Sequence, residues 1–206
     1  MVYLILIALL LILAAIIGGF IYAYKNISLP YFVLLLFIFI AIPLGSFKIY
    51  ERNLMLSYIP DALDVNSISY SEEESWGGGP GGNEAGIIVY PLSEKMSENI
   101  SSRGIEFFKY LPPNKNHKNR KWRGNYENWL ETPIKSSAHW KPKENKRMLE
   151  IYDYICAYGF CIDIKPEIVE EANSIVNSEG SYYAYGRIGL IVVCPRRKLV
   201  LYFYNG

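Results

Sequence analysis

Two long uncharged apolar runs, separated by only a few residues, open the chain and restrict what it can fold into. The first, residues 2–24, has no charged side chain and contains fourteen Leu, Ile, Val or Phe residues. At about 1.5 Å of helical rise per residue it is roughly 35 Å long, enough to cross a hydrocarbon core of about 30 Å. Residues 31–48 form the second run, in which Lys48 can reach towards water. The sequence therefore predicts a transmembrane hairpin over residues 1–50.

A cleaved signal peptide is the competing interpretation of the first run. Such a peptide begins with a basic segment and ends at a small-residue cleavage site. The first three residues carry no side-chain charge, and Ala23 lies between two tyrosines. We therefore expect the run to remain as a membrane helix.

The charges beside the hairpin bear on which side of the membrane the rest of the chain occupies. Lys25 lies in the turn, whereas Lys48 and Arg52 follow the second run. Because basic residues favour the cytoplasmic side, two against one favours a cytoplasmic C-terminal domain. The expected localisation is a two-pass protein of the plasma membrane, specifically a bacterial inner membrane.

The rest of the chain has the size of one ordinary domain. Residues 51–64 are expected to be a linker, and residues 65–206 to form the domain. Beyond residue 51, basic and acidic residues are equal in number. This balance argues against nucleic acid as a partner.

Apolar periodicity and turn residues predict an α+β domain. The expected fold has about four mostly antiparallel strands with about three helices packed on one face. Ser93 is predicted to cap the first of these helices, and Pro166 to begin the last. The predicted strands cover residues 65–75, 85–90, 182–194 and 199–204.

Three cysteines, Cys156, Cys161 and Cys194, fit neither a full disulfide framework nor the paired spacing of a zinc site. In a reducing compartment they would be small buried apolar side chains. If the domain lies outside the cytoplasm, Cys156 and Cys161 are the candidate bridge. No metal site is expected.

Residues 77–82 are the most biased segment and consist of glycine and one proline. Glycine-rich loops can hold phosphates through backbone amides, but this one lacks the Lys-Ser/Thr of a P-loop and precedes a strand. A flexible hairpin connection is the simpler interpretation. Gly78 and Gly81, with the neighbouring Trp76, remain candidate binding residues.

Residues 112–145 form a long connection in which tryptophans alternate with basic side chains. Such a loop can contact a partner protein, the lipid headgroups or nucleic acid. It can also be a solvated loop whose tryptophans cover the core. Tethering at a bilayer favours a protein or the membrane surface. The candidate binding residues here are Trp122, Arg123, Trp129 and Trp140.

No motif of nucleophilic, acid–base or metal-dependent catalysis is present in the sequence. We therefore expect no enzyme and no cofactor. The layout resembles small bacterial membrane immunity or accessory proteins, which pair a short anchor with a compact binding domain. The resemblance implies a binding module that restrains another, toxin-like protein at the membrane. The alternatives are a membrane-acting effector, whose domain senses a ligand and whose hairpin oligomerises to perturb the bilayer, and an envelope enzyme.

Overall fold

The structure is a computed structural model that describes residues 2–76, 84–114, 123–135, 140, 148–159 and 161–205. The chain divides into two compact units, Met1–Glu51 and Arg52–Gly206. The first unit contains most of the helical hairpin, and the second contains a sheet with its covering helices.

Two long helices make up the hairpin, α1 (Val2–Asn26) and α2 (Leu29–Leu56). Both are long and apolar enough to cross a membrane, and the apolar windows are not buried inside the protein. The turn consists of residues 27 and 28 alone, shorter than the predicted connection, because the Ser28 carbonyl already accepts hydrogen bonds from the Tyr31 and Phe32 amides of α2. Phe20 of α1 packs edge-on against Phe39 of α2, with ring centroids 4.9 Å apart.

α2 extends further than the predicted second run. It continues past Pro43 and ends at Leu56, so that its last residues belong to the second unit. The expected linker is also structured, since Ile59 and Leu63 are buried in the core of that unit.

Six antiparallel strands form one sheet in the order β1-β2-β6-β5-β4-β3. The strands are β1 (Tyr70–Ser75), β2 (Glu84–Pro91), β3 (Leu130–Glu131), β4 (Tyr182–Tyr185), β5 (Gly189–Cys194) and β6 (Leu199–Asn205). The class is the predicted one, but the strand count is higher than about four. The predicted strand 182–194 is a hairpin, because Gly186 and Gly189 pair through their backbones at 2.7 Å and turn the chain. β3 lies in the long connection, where no strand was predicted.

The helices pack on both faces of the sheet, which corrects the expectation of one covered face. Along β2, Ile87 and Val89 contact one core cluster, whereas Ile88 and Tyr90 contact the other. This alternation is what a strand buried on both sides requires. α3 (Glu94–Arg103) and α4 (Glu106–Lys109) cover the face of Tyr90, and α5 (Ile151–Ile155) and α6 (Pro166–Asn177) cover the other.

Capping and turn residues mark where the helices begin and end. The Ser93 hydroxyl accepts a hydrogen bond from the Met96 amide at 3.2 Å, as a helix cap should. Gly104, with φ of 59°, ends α3, so the single helix predicted here is two. Pro166 occupies the first turn of α6 as predicted.

Candidate binding site

Asn114 and Asn125, which flank the basic segment 115–122 in the sequence, are linked to each other, and Asn114 is also linked to the chain that follows α2. The Asn114 side chain accepts a hydrogen bond from the Asp61 amide at 2.7 Å and donates to the Ile59 carbonyl at 3.3 Å. It also donates to the Arg123 carbonyl at 3.4 Å, and the Asn114 amide donates to Asn125 Oδ1 at 3.1 Å. We call these five residues the amide clasp. It fixes residues 114 and 123 close together and close to residues 59–61.

Gly124 is required for the amide clasp to close. Its φ is +65°, in the left-handed region that side chains with a Cβ avoid. A Cβ on Gly124 would overlap Asn114 Nδ2 and would lie 2.8 Å from the Ile59 carbonyl oxygen. The backbone can approach Asn114 this closely only because the residue is glycine.

A group of aromatic side chains lies beside the amide clasp. The ring of Tyr58 stacks on Tyr202 with centroids 4.9 Å apart, and the Arg123 guanidinium lies 5.5 Å from the centre of the Tyr58 ring. The Tyr126 hydroxyl donates to the Tyr58 carbonyl at 2.7 Å. Arg123, a predicted binding residue, is thus held by a cation–π contact as well as by its place in the clasp.

The end of α2 is capped by the same face of the sheet. The Tyr90 hydroxyl donates to the Met55 carbonyl at 2.7 Å, and the Ser57 hydroxyl donates to the Leu54 carbonyl at 2.6 Å. These carbonyls belong to the last turn of α2, and the Ser57 and Tyr58 amides also donate to them at 3.1 and 3.3 Å. Tyr90 of the sheet and Ser57 of the following chain therefore add side-chain hydrogen bonds at the helix end.

Burial sets the chemistry of these tyrosines. It raises the pKa of the Tyr90, Tyr126 and Tyr202 phenols well above the ordinary tyrosine value, and neighbouring phenols act in the same direction. The charge of Arg123 acts in the opposite direction on Tyr202 but is outweighed by burial. The phenols therefore stay protonated and serve as hydrogen-bond donors and ring surfaces.

Trp129 and Trp140, two of the predicted binding residues, are core residues. Trp129 is 9% exposed and stacks on Phe108 with ring centroids 4.3 Å apart. Trp140 is 1% exposed, and its Nε1 donates to the Glu150 carbonyl at 3.1 Å. The alternative interpretation, tryptophans that cover the core, is the one that their burial supports.

The other predicted binding residues have different placements. Trp76 follows β1 and is exposed, and Arg123 is half-buried in the amide clasp. Trp122, Gly78 and Gly81 lie outside the described residues. Of the four candidates that the structure describes, one is exposed, one is half-buried and two belong to the core.

Cys156 and Cys161 are joined by a disulfide, with Cα atoms 4.7 Å apart. Cys156 follows α5, and Cys161 precedes the buried Ile162, so the bond ties the helix end to the next core segment. Cys194 in β5 is buried with a free thiol.

A cavity of about 350 Å³ opens beside α6. Asn177 on its wall pairs with both backbone groups of Leu149, at 2.8 and 3.2 Å, and Asn173 accepts from the Ile151 amide at 2.8 Å. These side-chain groups hold the segment before α5 and are not available to a ligand. Across the described residues, no group of three or more His, Cys, Asp or Glu side chains could hold a metal ion.

The sequence reasoning missed Asn114, Gly124 and Asn125. The available signal was a pair of asparagines and a glycine at the two ends of a basic segment, because these residue types hold turns by side-chain hydrogen bonds or by positive φ. Their partners at residues 59–61 are distant in sequence and could not have been found from it.

The chain matches no protein-family model, no curated protein and no solved structure.

Proposed function

We propose that the chain is a membrane-anchored, non-enzymatic binding module that engages and restrains another protein, in the manner of an immunity or accessory protein. The amide clasp is the observation that carries this proposal. It links residue 114 to residues 123 and 125 by hydrogen bonds that involve side chains, and these residues flank the basic segment in the sequence. Recognition residues commonly lie on loops that a rigid scaffold positions.

The basic segment has the composition of a protein-binding loop. It contains Lys115, Lys118, Arg120 and Lys121 and ends in Trp122, beside Arg123. Trp and Arg are enriched among the residues that dominate binding energy, and basic residues accelerate encounter with an acidic partner. The two apolar helices support a site of action at the bilayer.

The disulfide supports a domain outside the cytoplasm. Disulfides persist in oxidising compartments and are rare where thiols are kept reduced. The opposing argument is the single-charge excess of Lys48 and Arg52 over Lys25, which is a small bias. A disulfide depends directly on whether its compartment is oxidising, so we give the disulfide greater weight than this charge bias. The turn with Lys25 would then face the cytoplasm, in a plasma membrane crossed twice.

Co-purification of the tagged full chain from solubilised native membranes tests the proposed function. The expected result is a co-purifying protein that is lost in Trp122→Ala and in Arg120→Ala. Tyr110→Ala is the matched control, because Tyr110 is 80% exposed and lies outside the amide clasp. Equal recovery in all variants would contradict the role of the segment. Collapse of the membrane potential on expression of the chain alone would favour the effector instead.

A further inference from the structure

The disulfide between Cys156 and Cys161 lies at the surface of the domain. Cys161 is exposed and Cys156 is half-buried. Ala157, Tyr158 and Gly159, which follow Cys156, are exposed as well. Structural disulfides resist reduction by the thiols of their compartment, whereas exposed disulfides belong to the labile, regulatory or catalytic class. The exposure of Cys161 therefore allows an external thiolate to attack this bond.

The chain on both sides of the disulfide is also held by contacts that do not need it. The residues next to the two cysteines, Ile155 and Ile162, are 1% and 3% exposed and belong to the core. The Ile164 amide donates a hydrogen bond to the Tyr152 hydroxyl at 3.2 Å. Because this packing is independent of the sulfurs, the two cysteines should stay close together when the bond between them is broken.

Helix α5, which ends just before Cys156, is anchored at both of its ends. It has five residues, too few to be stable as an isolated helix. At its start the Ile151 amide donates to the Asn173 side chain at 2.8 Å, and near its end the Tyr154 carbonyl accepts a hydrogen bond from the Asn205 side chain. Reduction of the disulfide should therefore leave α5 in place.

The exposed residues after α5 have fewer contacts. The Ala157 amide donates to the Tyr154 carbonyl at 3.3 Å, and the Gly159 amide donates to the Cys156 carbonyl at 3.0 Å. Exposed backbone hydrogen bonds with little buried surface around them open at a low free-energy cost. Covalent closure by the disulfide restrains this turn, so reduction should loosen residues 157–159 and leave the core unchanged.

Cys194 is too far from the disulfide to exchange with it. It ends β5 and pairs with Leu199, the first residue of β6. β6 runs from Leu199 to Asn205, about 20 Å at about 3.4 Å per residue. Asn205, at the far end, is the residue that bonds to Tyr154, two residues before Cys156. The thiol that reduces the disulfide must therefore come from another molecule.

We propose that the Cys156–Cys161 disulfide is a redox-responsive site that exchanges with an external dithiol, such as that of a thiol–disulfide oxidoreductase. One thiolate of the dithiol bonds to the exposed Cys161 sulfur, the bond between Cys161 and Cys156 breaks, and Cys156 leaves as a thiolate that takes up a proton. The second thiolate of the dithiol then displaces Cys161, which also becomes a thiol. The dithiol thus loses two electrons and two protons, and the cysteines gain them.

The product is a folded domain with a loosened turn at residues 157–159, and oxidation restores the closed form. Such a site is independent of the contact proposed for the basic segment. A failure of one therefore leaves the other standing.

Thiol counting on the full chain in detergent tests whether the disulfide can be reduced in the folded domain. The chain is treated with dithiothreitol without denaturant, the reductant is removed, and a maleimide adds a fixed mass to each accessible thiol. We expect two adducts, on Cys156 and Cys161, and none on the buried Cys194. Absence of adducts until urea is added would show a protected bond, and three adducts would show that reduction unfolds the domain. Either result would overturn the proposal.

Hydrogen exchange tests whether reduction has the expected local effect. The amides of Ala157 and Gly159 should exchange faster in the reduced chain than in the oxidised chain, whereas the amides of β5 and β6 should keep their protection. Treatment with oxidised glutathione should restore the original pattern. Identical exchange in the two forms, or loss of protection in β5 and β6, would overturn the redox response.

Two single variants test which sulfur is attacked. Cys156→Ser leaves Cys161 as a free thiol, and Cys161→Ser leaves Cys156. Because Cys161 is exposed and Cys156 is half-buried, Cys156→Ser should form a mixed disulfide with oxidised glutathione faster than Cys161→Ser does. An equal or slower reaction of Cys156→Ser would overturn the assignment of Cys161 as the attacked residue.

Discussion

Substitution of Gly124 by alanine tests whether the amide clasp exists as described. Alanine would have to adopt the positive φ of residue 124, which costs about 1–2 kcal/mol. It would also displace Asn114, which makes hydrogen bonds with Asp61, Ile59 and Arg123. At about 1 kcal/mol net for each, their loss adds about 2–3 kcal/mol. Gly124→Ala should therefore lower the free energy of unfolding by about 3–5 kcal/mol.

Gly159→Ala is the matched control for this substitution. Gly159 also has a positive φ, of 86°, but a Cβ there would meet nothing within 4 Å. Only the backbone strain remains, so the expected loss is about 1–2 kcal/mol. Urea unfolding of the full chain in detergent, followed by tryptophan fluorescence, gives both values from the midpoints at constant slope.

A double-mutant cycle separates the hydrogen bonds from the strain. In an Asn114→Ala background the three hydrogen bonds are already lost, so Gly124→Ala should cost about 2–3 kcal/mol less than in the unmodified chain. The residual cost reflects the positive φ and the Ile59 carbonyl, 2.8 Å from the new Cβ. Equal losses for Gly124→Ala and Gly159→Ala, with no coupling to Asn114, would refute the clasp.

Three further predictions follow from the core. Cys156→Ser with Cys161→Ser should lower the free energy of unfolding by about 2 kcal/mol, the loop-closure value for so short a loop, in the same urea assay. The free energy of unfolding should fall as pH rises above about 10. Burial raises the folded-state pKa of Tyr90 and Tyr202, so the unfolded chain loses these protons at lower pH than the folded chain does. Tyr90→Phe should make this fall less steep in unfolding measured across pH. Trp140→Phe should destabilise the domain by about 1 kcal/mol more than Trp129→Phe does, in thermal or urea unfolding. Trp140 loses its hydrogen bond to the Glu150 carbonyl, whereas Trp129 Nε1 has no hydrogen-bond partner within the described residues.

The sequence predicted features that depend on local chemistry. The cap at Ser93 and the helix start at Pro166 follow from neighbouring backbone groups, and both are present. The apolar hairpin depends on composition and length, which the sequence contains directly. The hairpin break at Gly186 and Gly189 was missed, although two glycines inside an apolar strand are a recognised turn signal.

Features that depend on distant partners could not be predicted. Burial of Trp129 depends on its stacking against Phe108, and the amide clasp joins Asn114 to Asp61, more than fifty residues earlier. The second covered face of the sheet was missed for a different reason, since its signal was present in the sequence. Strands with apolar side chains on both sides require two covering layers, and this pattern in residues 87–90 pointed to it.

The side of the membrane occupied by the domain is the most direct test of a membrane-anchored module that acts in an oxidising compartment. Tyr110→Cys places a thiol at a site that is 80% exposed, while Cys194 is buried and the other two cysteines are paired. A membrane-impermeant maleimide should label this variant in intact cells as fully as in permeabilised cells, with the full chain recovered only in the membrane fraction. Labelling that requires permeabilisation, or a full chain that is soluble without detergent, would contradict the account.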